Sequence, residues 1–343
     1  IWDLYTSEDS HEPLSNRVIS GQYPAASTYK AFTSLAGLEY GFASPTSGWV
    51  CEGKWDGFGS GDVQMCWNHS GHGGLDLRGG IVHSCDVVFY EIAKAFFDHG
   101  PAGTGQVSET ALQDYLARFN LDKATGIDLA NEAAGTIPTP AWKAERWRNV
   151  PSEAPWRGGD YTNMIIGQGY VLVTPLEIAA AYGGVATGRI MRPHLLKDVR
   201  NAAGDVVVTF EPEVVTEVDA NASHLAYVRD ALRGVIVENE KVARMFAEAG
   251  VQAAGKSGTG ENSGAADHAW FVAYAPYDDP KYVVTVIIDQ GGGGSEVAAP
   301  VAAKLLGAAM AADAGADLEA PQRVAGFTGK SVEYHGTSAG RTD

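Results

Sequence analysis

The residues of this chain with the clearest chemistry are a hydroxyl and an amine three positions apart, Ser27 and Lys30. On a helix the two share a face. A serine at the helix start meets backbone N–H groups and the positive dipole end, and an amine one turn on can take its proton if burial favours the neutral amine. That is an activated nucleophile, although Ser-x-x-Lys alone also fits an N-cap followed by a solvated lysine. Two later stretches carry complementary groups. Ser84-Cys85-Asp86 offers a second hydroxyl and a carboxylate, and Lys256-Ser257-Gly258-Thr259 offers a second amine with two hydroxyls. Singly, the first reads as a helix-breaking cap and the second as a strand-edge turn. Together the three stretches are hard to assign to chance.

A second set of side chains is suited to metal. The chain has 3 cysteines, Cys51, Cys66 and Cys85. One thiol is left over if two pair, whereas three thiolates and the imidazole of His72 complete a tetrahedral Cys3His set for a structural zinc ion. The spacing C-x14-C-x5-H-x12-C is no standard finger. A Cys51–Cys66 disulfide, suited to an oxidising compartment, is the alternative. Adjacent side chains in the Ser84-Cys85-Asp86 turn should point to opposite sides, so with Ser84 and Asp86 toward a cleft Cys85 faces the loop. His11, His69, His83 and His99 share no spacing and read as surface or satisfied core residues.

Elements must position these groups. Tyr29, Phe32, Leu35 and Ala36 recur at helical spacing behind Pro24, which predicts a buried helix starting at or near Ser27. Residues 42–80 hold no sustained period, and a loop of that length needs a staple or an ion in place of a core. Apolar spacing resumes from Ile81 to Phe96 around the Ser84-Cys85-Asp86 break, and Ser108 reads as the cap of a helix reaching Phe119. Residues 121–161, rich in Pro, Gly and Trp, read as a surface-winding connector. Thr174-Pro175-Leu176-Glu177 is a capping box with proline at the first helical position. Residues 190–210 read as a strand pair turning at 201–205, and 223–238 as a helix. Residues 252–261, 268–275 and 282–289 read as consecutive antiparallel strands, ahead of a glycine loop and an Ala-rich helix from 297 to 312. Gly291 to Gly294 precedes no Lys-Ser/Thr, so a strand-to-helix loop explains it better than phosphate binding.

At 343 residues and 45% hydrophobic content, the chain can bury a sizeable core as one large or two intimately packed subdomains. A net charge of -17 argues against a nucleic-acid surface. No apolar run approaches bilayer length and no signal peptide is visible. The abrupt opening at Ile1-Trp2-Asp3 reads as a piece of a longer protein with any anchor upstream.

In chain order the three stretches match the S-x-x-K, S-D-N and K-T-G marks of β-lactamases and penicillin-binding proteins. Further motifs narrow the match: Pro13-Leu14-Ser15-Asn16-Arg17, Cys66-Trp67 with Gly71-His72-Gly73, Ile166-Gly167-Gln168-Gly169-Tyr170 with Thr174-Pro175-Leu176, and Asp267-His268-Ala269-Trp270-Phe271. Over residues 11–312 the chain resembles the class B penicillin-binding proteins of the cell-elongation type, the penicillin-binding protein 2 subfamily. One departure is Pro24-Ala25-Ala26-Ser27 in place of Pro-Pro-Gly-Ser. The resemblance implies an α/β (α+β) fold, an antiparallel sheet flanked by helices beside an all-helical subdomain, with the serine between them. It implies a transpeptidase domain over 1–313, helical mainly in 27–190 and sheet mainly in 190–313 with the amino-terminal segment. A flexible tail over 314–343 follows, and the pedestal domain and membrane anchor lie outside this chain.

The implied activity is D,D-transpeptidation of peptidoglycan stem peptides through a serine acyl-enzyme, trapped covalently by β-lactam antibiotics. The implied place is the periplasmic face of the bacterial inner membrane, beside a membrane-embedded glycosyltransferase and elongation-complex proteins, without nucleic acid. Ser27 would attack, Lys30 accept its proton, Ser84 relay protons to the leaving or incoming amine, and Asp86 orient Lys30 or the substrate amide. Lys256 would supply a second cation, N–H groups of Ser27 and Thr259 the oxyanion hole, and the hydroxyls of Ser257 and Thr259, flanking Gly258, the hold on the substrate's carboxylate. No cofactor is needed for this chemistry. The same chemistry ending in water would make a D,D-carboxypeptidase or a β-lactamase, for which Glu145-x-x-x-Asn149 is the candidate deacylating pair, although a solvated-charge reading suits it better. A non-catalytic β-lactam sensor or scaffold is the alternative of another class, and retention of all three motifs argues against it.

Overall fold

The computed structural model describes residues 14–262 and 264–316. The expected contribution of the amino-terminal segment to the sheet, and the expected tail beyond residue 316, lie outside these residues. Behind Pro24 the chain makes a 3₁₀ turn, Ala26–Tyr29, and only then an α-helix, α1, over Lys30–Glu39. The α-helix therefore begins three residues later than the apolar spacing predicts. The spacing is right about burial, since every residue from Ala25 to Leu38 is buried. Helices α2 (Leu77–Val82) and α3 (Asp86–His99) flank the second motif. The break between them is a left-handed residue, Ser84 at φ 54.

Residues 42–76, expected to be irregular, form nested ladders: β1 (Gly48–Cys51) pairs with β4 (Gly73–Asp76) outside β2 (Lys54–Trp55) and β3 (Gln64–Met65). This nesting draws Cys51, Cys66 and His72 to one place. Helix α4 (Ala111–Leu116) starts after Thr110 rather than at Ser108, whose hydroxyl accepts from Thr110 N in a turn before the helix. Residues 121–161 are less of a connector than expected, because α5 (Pro140–Arg146) and the start of α6 (Gly158–Ile165) lie there. Thr139 caps α5 by accepting from Trp142 N, with Pro140 at the first position, the same start signal that opens α7 (Pro175–Thr187). The capping box of Thr174 and Glu177 on α7 is present as predicted, and Gly188 closes the helix in the left-handed region.

Strands β5 (Arg189–Met191), β6 (Asp198–Arg200), β7 (Val206–Thr209) and β8 (Val214–Glu217) make two small antiparallel pairs, β5 with β8 and β6 with β7, the latter turning at 201–205 as expected. Helix α8 (Ala222–Val237) is followed by α9 (Glu240–Glu248), an unanticipated helix capped by Asn239. The main sheet is antiparallel in the order β11 (Tyr282–Ile288), β10 (His268–Ala275), β9 (Ala254–Gly260). Side chains alternate along β10. Trp270, Val272 and Tyr274 enter the core shared with α1, α3 and α7, while Ala269, Phe271 and Ala273 meet Phe246 of α9 and the Ala298 to Leu306 face of the last helix, α10 (Ala299–Asp313).

The π-turn Gly294–Ala298 and α10 together make 20 residues with a mean hydropathy of 1.2, long and apolar enough to cross a membrane. No such run was expected from the sequence. Here Ala299, Ala302, Ala303 and Leu306 pack on the sheet, as a core helix does.

Candidate active site

The nucleophile candidate sits on a turn clamped from three sides. Ser27 lies in the 3₁₀ turn, 7% exposed, next to Ala26 at φ 51. A non-glycine residue in that region is strained by roughly 1–2 kcal/mol. Ala26 N donates to Gly167 O at 2.8 Å, and Tyr182 OH donates to Thr28 O at 2.8 Å. From the sheet side β9 closes in: a methyl built on Gly258 would lie 3.1 Å from Thr28 Cγ2 and 3.3 Å from Thr28 N. Glycine in the third motif thus lets the strand edge approach the serine's own turn. Gly258 is crowded from behind as well, since a methyl on Gly294 would fall 2.5 Å from Gly258 O.

Lys30 is wholly buried and ringed by the second motif. Its Nζ donates to Ser84 O at 2.7 Å, to Ser84 Oγ at 3.3 Å and to Asp86 Oδ1 at 2.8 Å. These three oxygens surround the amine. The Phe89 ring lies 5.2 Å away. The sequence therefore located Lys30's desolvation correctly, and it left Asp86 between two roles of which the geometry favours one. Asp86 holds Lys30 through Oδ1 and accepts Trp67 N at 2.8 Å through Oδ2. Lys256, expected as a second cation, is fully buried on β9 and donates to Ser257 O at 3.1 Å. The ion pair of Lys30 is with Asp86. Ser257 and Thr259 are buried on the same strand, paired with Phe271 and Ala269 of β10.

Gln168 was quoted in a motif but given no role. Its side-chain amide donates to Thr259 O at 3.2 Å, and its carbonyl accepts Glu261 N at 3.4 Å, so it fixes the end of β9 that carries the third motif. A buried amide between two glycines was the available signal; Gly167 and Gly169 both have positive φ. Glu145, the β-lactamase-like candidate, is an exposed residue paired with Arg148. The solvated-charge reading holds.

Cys51, Cys66, His72 and Cys85 converge behind the second motif, with ligand atoms all within 4.8 Å of one another. Both Cys51 Sγ and Cys66 Sγ lie 3.6 Å from His72 Nδ1. The three cysteines are free thiols, with no Cys51–Cys66 disulfide. Cys85 does face the loop while its neighbours face Lys30. The hydrogen bond from Cys85, opposed by burial and aided by His72, holds the Cys66 thiol down, and the same bond together with burial pushes Cys85 up. The cluster touches the Lys30 site closely: Cys85 lies between Ser84 and Asp86, the Cys66 sulfur accepts from the backbone of Asp86, and Cys66 precedes Trp67, whose indole N–H donates to Ser84 O at 3.1 Å.

A family model described as the penicillin binding protein transpeptidase domain matches residues 3–307. The peptidoglycan D,D-transpeptidase MrdA of Haemophilus influenzae is 35% identical over 318 residues, 87% of this chain and 46% of that protein. The chain thus spans about half the length of such relatives. Among solved structures, Pseudomonas aeruginosa penicillin-binding protein 2 in complex with WCK 5153 is similar at a TM-score of 0.76 and 29% identity, over 90% of this chain and 65% of that one. The penicillin-binding protein 2 of Helicobacter pylori in complex with MreC is similar at 0.75 and 25%, over 92% and 54%. With a family match over nearly its whole length and the three motifs gathered around Ser27, this chain belongs to the penicillin-binding protein transpeptidases.

Proposed function

We propose that this chain is the catalytic part of a peptidoglycan D,D-transpeptidase that cross-links stem peptides during cell elongation. The observation that carries the reading is the buried Lys30, one helical turn from Ser27 and bonded to Ser84 and Asp86. Ser27 Oγ attacks the carbonyl carbon of the penultimate D-alanine, and its proton passes to the amine of Lys30. The oxyanion is held by N–H groups of Ser27 and Thr259, donors typically worth about 3–4 kcal/mol of transition-state stabilisation each. As the C–N bond breaks, Ser84 relays a proton from Lys30 to the departing D-alanine amine. An acceptor amine then attacks the ester, and the relay runs in reverse. Asp86 holds Lys30 in register. Lys256 contributes positive charge beside the strand whose Ser257 and Thr259 hydroxyls take the terminal carboxylate. β-Lactams stop at the first ester.

The fitting place for this chemistry is the periplasmic face of the inner membrane, with a membrane-embedded glycosyltransferase and elongation-complex proteins as partners. The MreC complex of the similar Helicobacter pylori protein supports that class of partner. Purified protein given a peptide ending in D-alanyl-D-alanine and an acceptor amine should release D-alanine and form the peptide–amine product, and Ser27→Ala should do neither. D-alanine release without amine transfer would favour the carboxypeptidase reading, and neither activity nor acylation would favour the scaffold.

We further propose that Cys51, Cys66, His72 and Cys85 hold a structural zinc ion. The donor set suits the ion: thiolate and imidazole bonds at tetrahedral angles place sulfur and nitrogen about 3.6 Å apart, the Cys51–His72 and Cys66–His72 separations being 3.6 Å. Bound zinc supplies a cross-link only. Cys85 then anchors the turn that presents Ser84 and Asp86, and the chain's own groups do the chemistry. Elemental analysis of protein purified without added metal should give about one equivalent of zinc. Less than about half an equivalent, with a single titratable thiol after denaturation, would favour the disulfide.

A further inference from the structure

Four cations lie within residues 143–157 of this acidic chain, and three of them are neutralised or bound by the protein. Lys143 is paired with Asp160 at 2.7 Å and bonded to Pro155 O at 3.1 Å. Arg148 pairs with Glu145, and Arg157 donates to Ser152 O at 2.6 Å. Arg146 is different. It is exposed and makes no hydrogen bond or ion pair among the described residues. Its guanidinium instead lies over three rings, 5.4 Å from Trp142, 5.7 Å from Tyr170 and 6.0 Å from Trp147.

The rings are themselves fixed. Trp147 Nε1 donates to Tyr170 OH at 2.8 Å, Trp142 and Tyr170 meet at 5.3 Å, and the Lys143–Asp160 pair ties α5 to α6 beneath them. A guanidinium held against aromatic faces loses little further freedom on binding, and its N–H edges remain a planar fork matched to a carboxylate. The platform is also joined closely to the third motif. Tyr170 is two residues from Gln168, whose amide holds Thr259 O. The contacts run from Arg146 through the Tyr170 ring and two Cα steps to Gln168 and Thr259, a path of at most about 25 Å and so within the span of an extended peptide seated on β9.

We infer that Arg146 on its Trp142–Trp147–Tyr170 platform is a peptide-binding subsite that takes a carboxylate carried by the substrate a few residues before the D-alanyl-D-alanine end. The inference rests on the transpeptidase reading and adds a charge preference to it. An unpaired cation on a chain of net charge -17 also draws anionic groups to this spot against the general repulsion of the surface.

The test uses two synthetic peptides ending in D-alanyl-D-alanine, identical except that a side-chain carboxylate upstream is free in one and a carboxamide in the other. Dissociation constants are measured on the Ser27→Ala protein and KM on the active one, with acylation by benzylpenicillin as the check on Ser27 chemistry. Arg146→Gln should weaken the carboxylate peptide about tenfold, leave the carboxamide peptide within about twofold, and leave acylation unchanged. Arg146→Lys should recover only part of the loss, because an ammonium lacks the fork, and Arg148→Gln should change neither peptide. Equal affinity of the unmodified protein for the two peptides, or an equal loss on both in Arg146→Gln, overturns the subsite while leaving the transpeptidase reading intact. Failure of the unmodified protein to acylate refutes that reading and the subsite with it.

Discussion

Two buried polar clusters lie back to back across the Ser84-Cys85-Asp86 turn, and they are satisfied differently. Around Lys30 each charge has an opposite charge or a dipole within hydrogen-bond reach: the ammonium has three oxygen partners, and the Asp86 carboxylate has Lys30 and Trp67 N. Around Cys85 the side-chain contacts are between sulfurs and one imidazole, with Cys51 and Cys66 each 3.6 Å from His72, beside backbone N–H groups of Asn68, Asp86 and Val88 that reach the sulfurs, and His72 Nε2 is buried without a hydrogen-bond partner. Sulfur contacts of that kind are weak. The first cluster is closed by the fold itself and can be broken only by changing a member. The second is a converging donor set whose strength depends on what it binds, so the two should respond to different perturbations.

The largest effect should come from Lys30→Arg. Charge is conserved, but arginine cannot give up its proton and its guanidinium does not fit a wholly buried site. The acylation rate with a fluorescent penicillin should fall by at least about a thousandfold. Retained acylation would mean that another group is the base. Next in size is Asp86→Ala, which leaves Lys30 charged and unpaired in the interior and removes the acceptor of Trp67 N. Denaturant unfolding should show a loss of about 3–5 kcal/mol, with Asp86→Asn losing less because its oxygen still accepts from the backbone. A loss under about 1 kcal/mol for the alanine variant would show that the pair is not what closes this cluster.

The second cluster should answer to chelation instead. Removing metal should lower the melting temperature by about 5 °C or more and slow acylation, while leaving the Ser27 adduct on the same peptide. Unchanged melting in chelator, in protein shown to have lost its metal, would break the contrast between the clusters. The smallest effect is expected at Ala26→Gly. Relief of the positive φ is offset by glycine's extra freedom in the unfolded chain, so stability should rise by no more than about 1 kcal/mol. A clear loss of stability would mean that the Ala26 methyl, packed toward Gly258, matters more than the strain.

Much of this arrangement was legible where the signal is local. Thr174-Pro175-Leu176-Glu177 fixes a helix start by itself, and the three strands around residues 254–288 are marked by their spacing and the turn between the last two. The three motifs were recognised by their order and their resemblance to those of a known family, and Cys85's turn away from Ser84 followed from the alternation of adjacent side chains. What escaped depends on partners distant in sequence or on weak periods. The ladders of residues 48–76 are made by pairing Gly48 with Asp76 and Cys51 with Gly73, and neither strand has an apolar alternation to show it. Helix α9 is short and mostly polar, although Val242, Met245 and Phe246 carry its stripe. Helix α5 was missed despite Thr139-Pro140, because the surrounding tryptophans and arginines read as irregular. The 3₁₀ turn at Ser27 escaped because Ala26 adopts a conformation that alanine seldom takes, held there by Gly167 and β9. Asp86's role was undecided for a related reason: whether it faces Lys30 or substrate depends on Trp67, nineteen residues away in sequence.

The most direct test of the account is the site of covalent capture. Folded protein incubated with benzylpenicillin should gain one adduct by intact mass, peptide mapping should place it on Ser27, and Ser27→Ala should gain none. An adduct on any other serine, or an undiminished adduct in the Ser27→Ala variant, would contradict the assignment of Ser27 as nucleophile and with it the roles given to Lys30, Ser84 and Asp86.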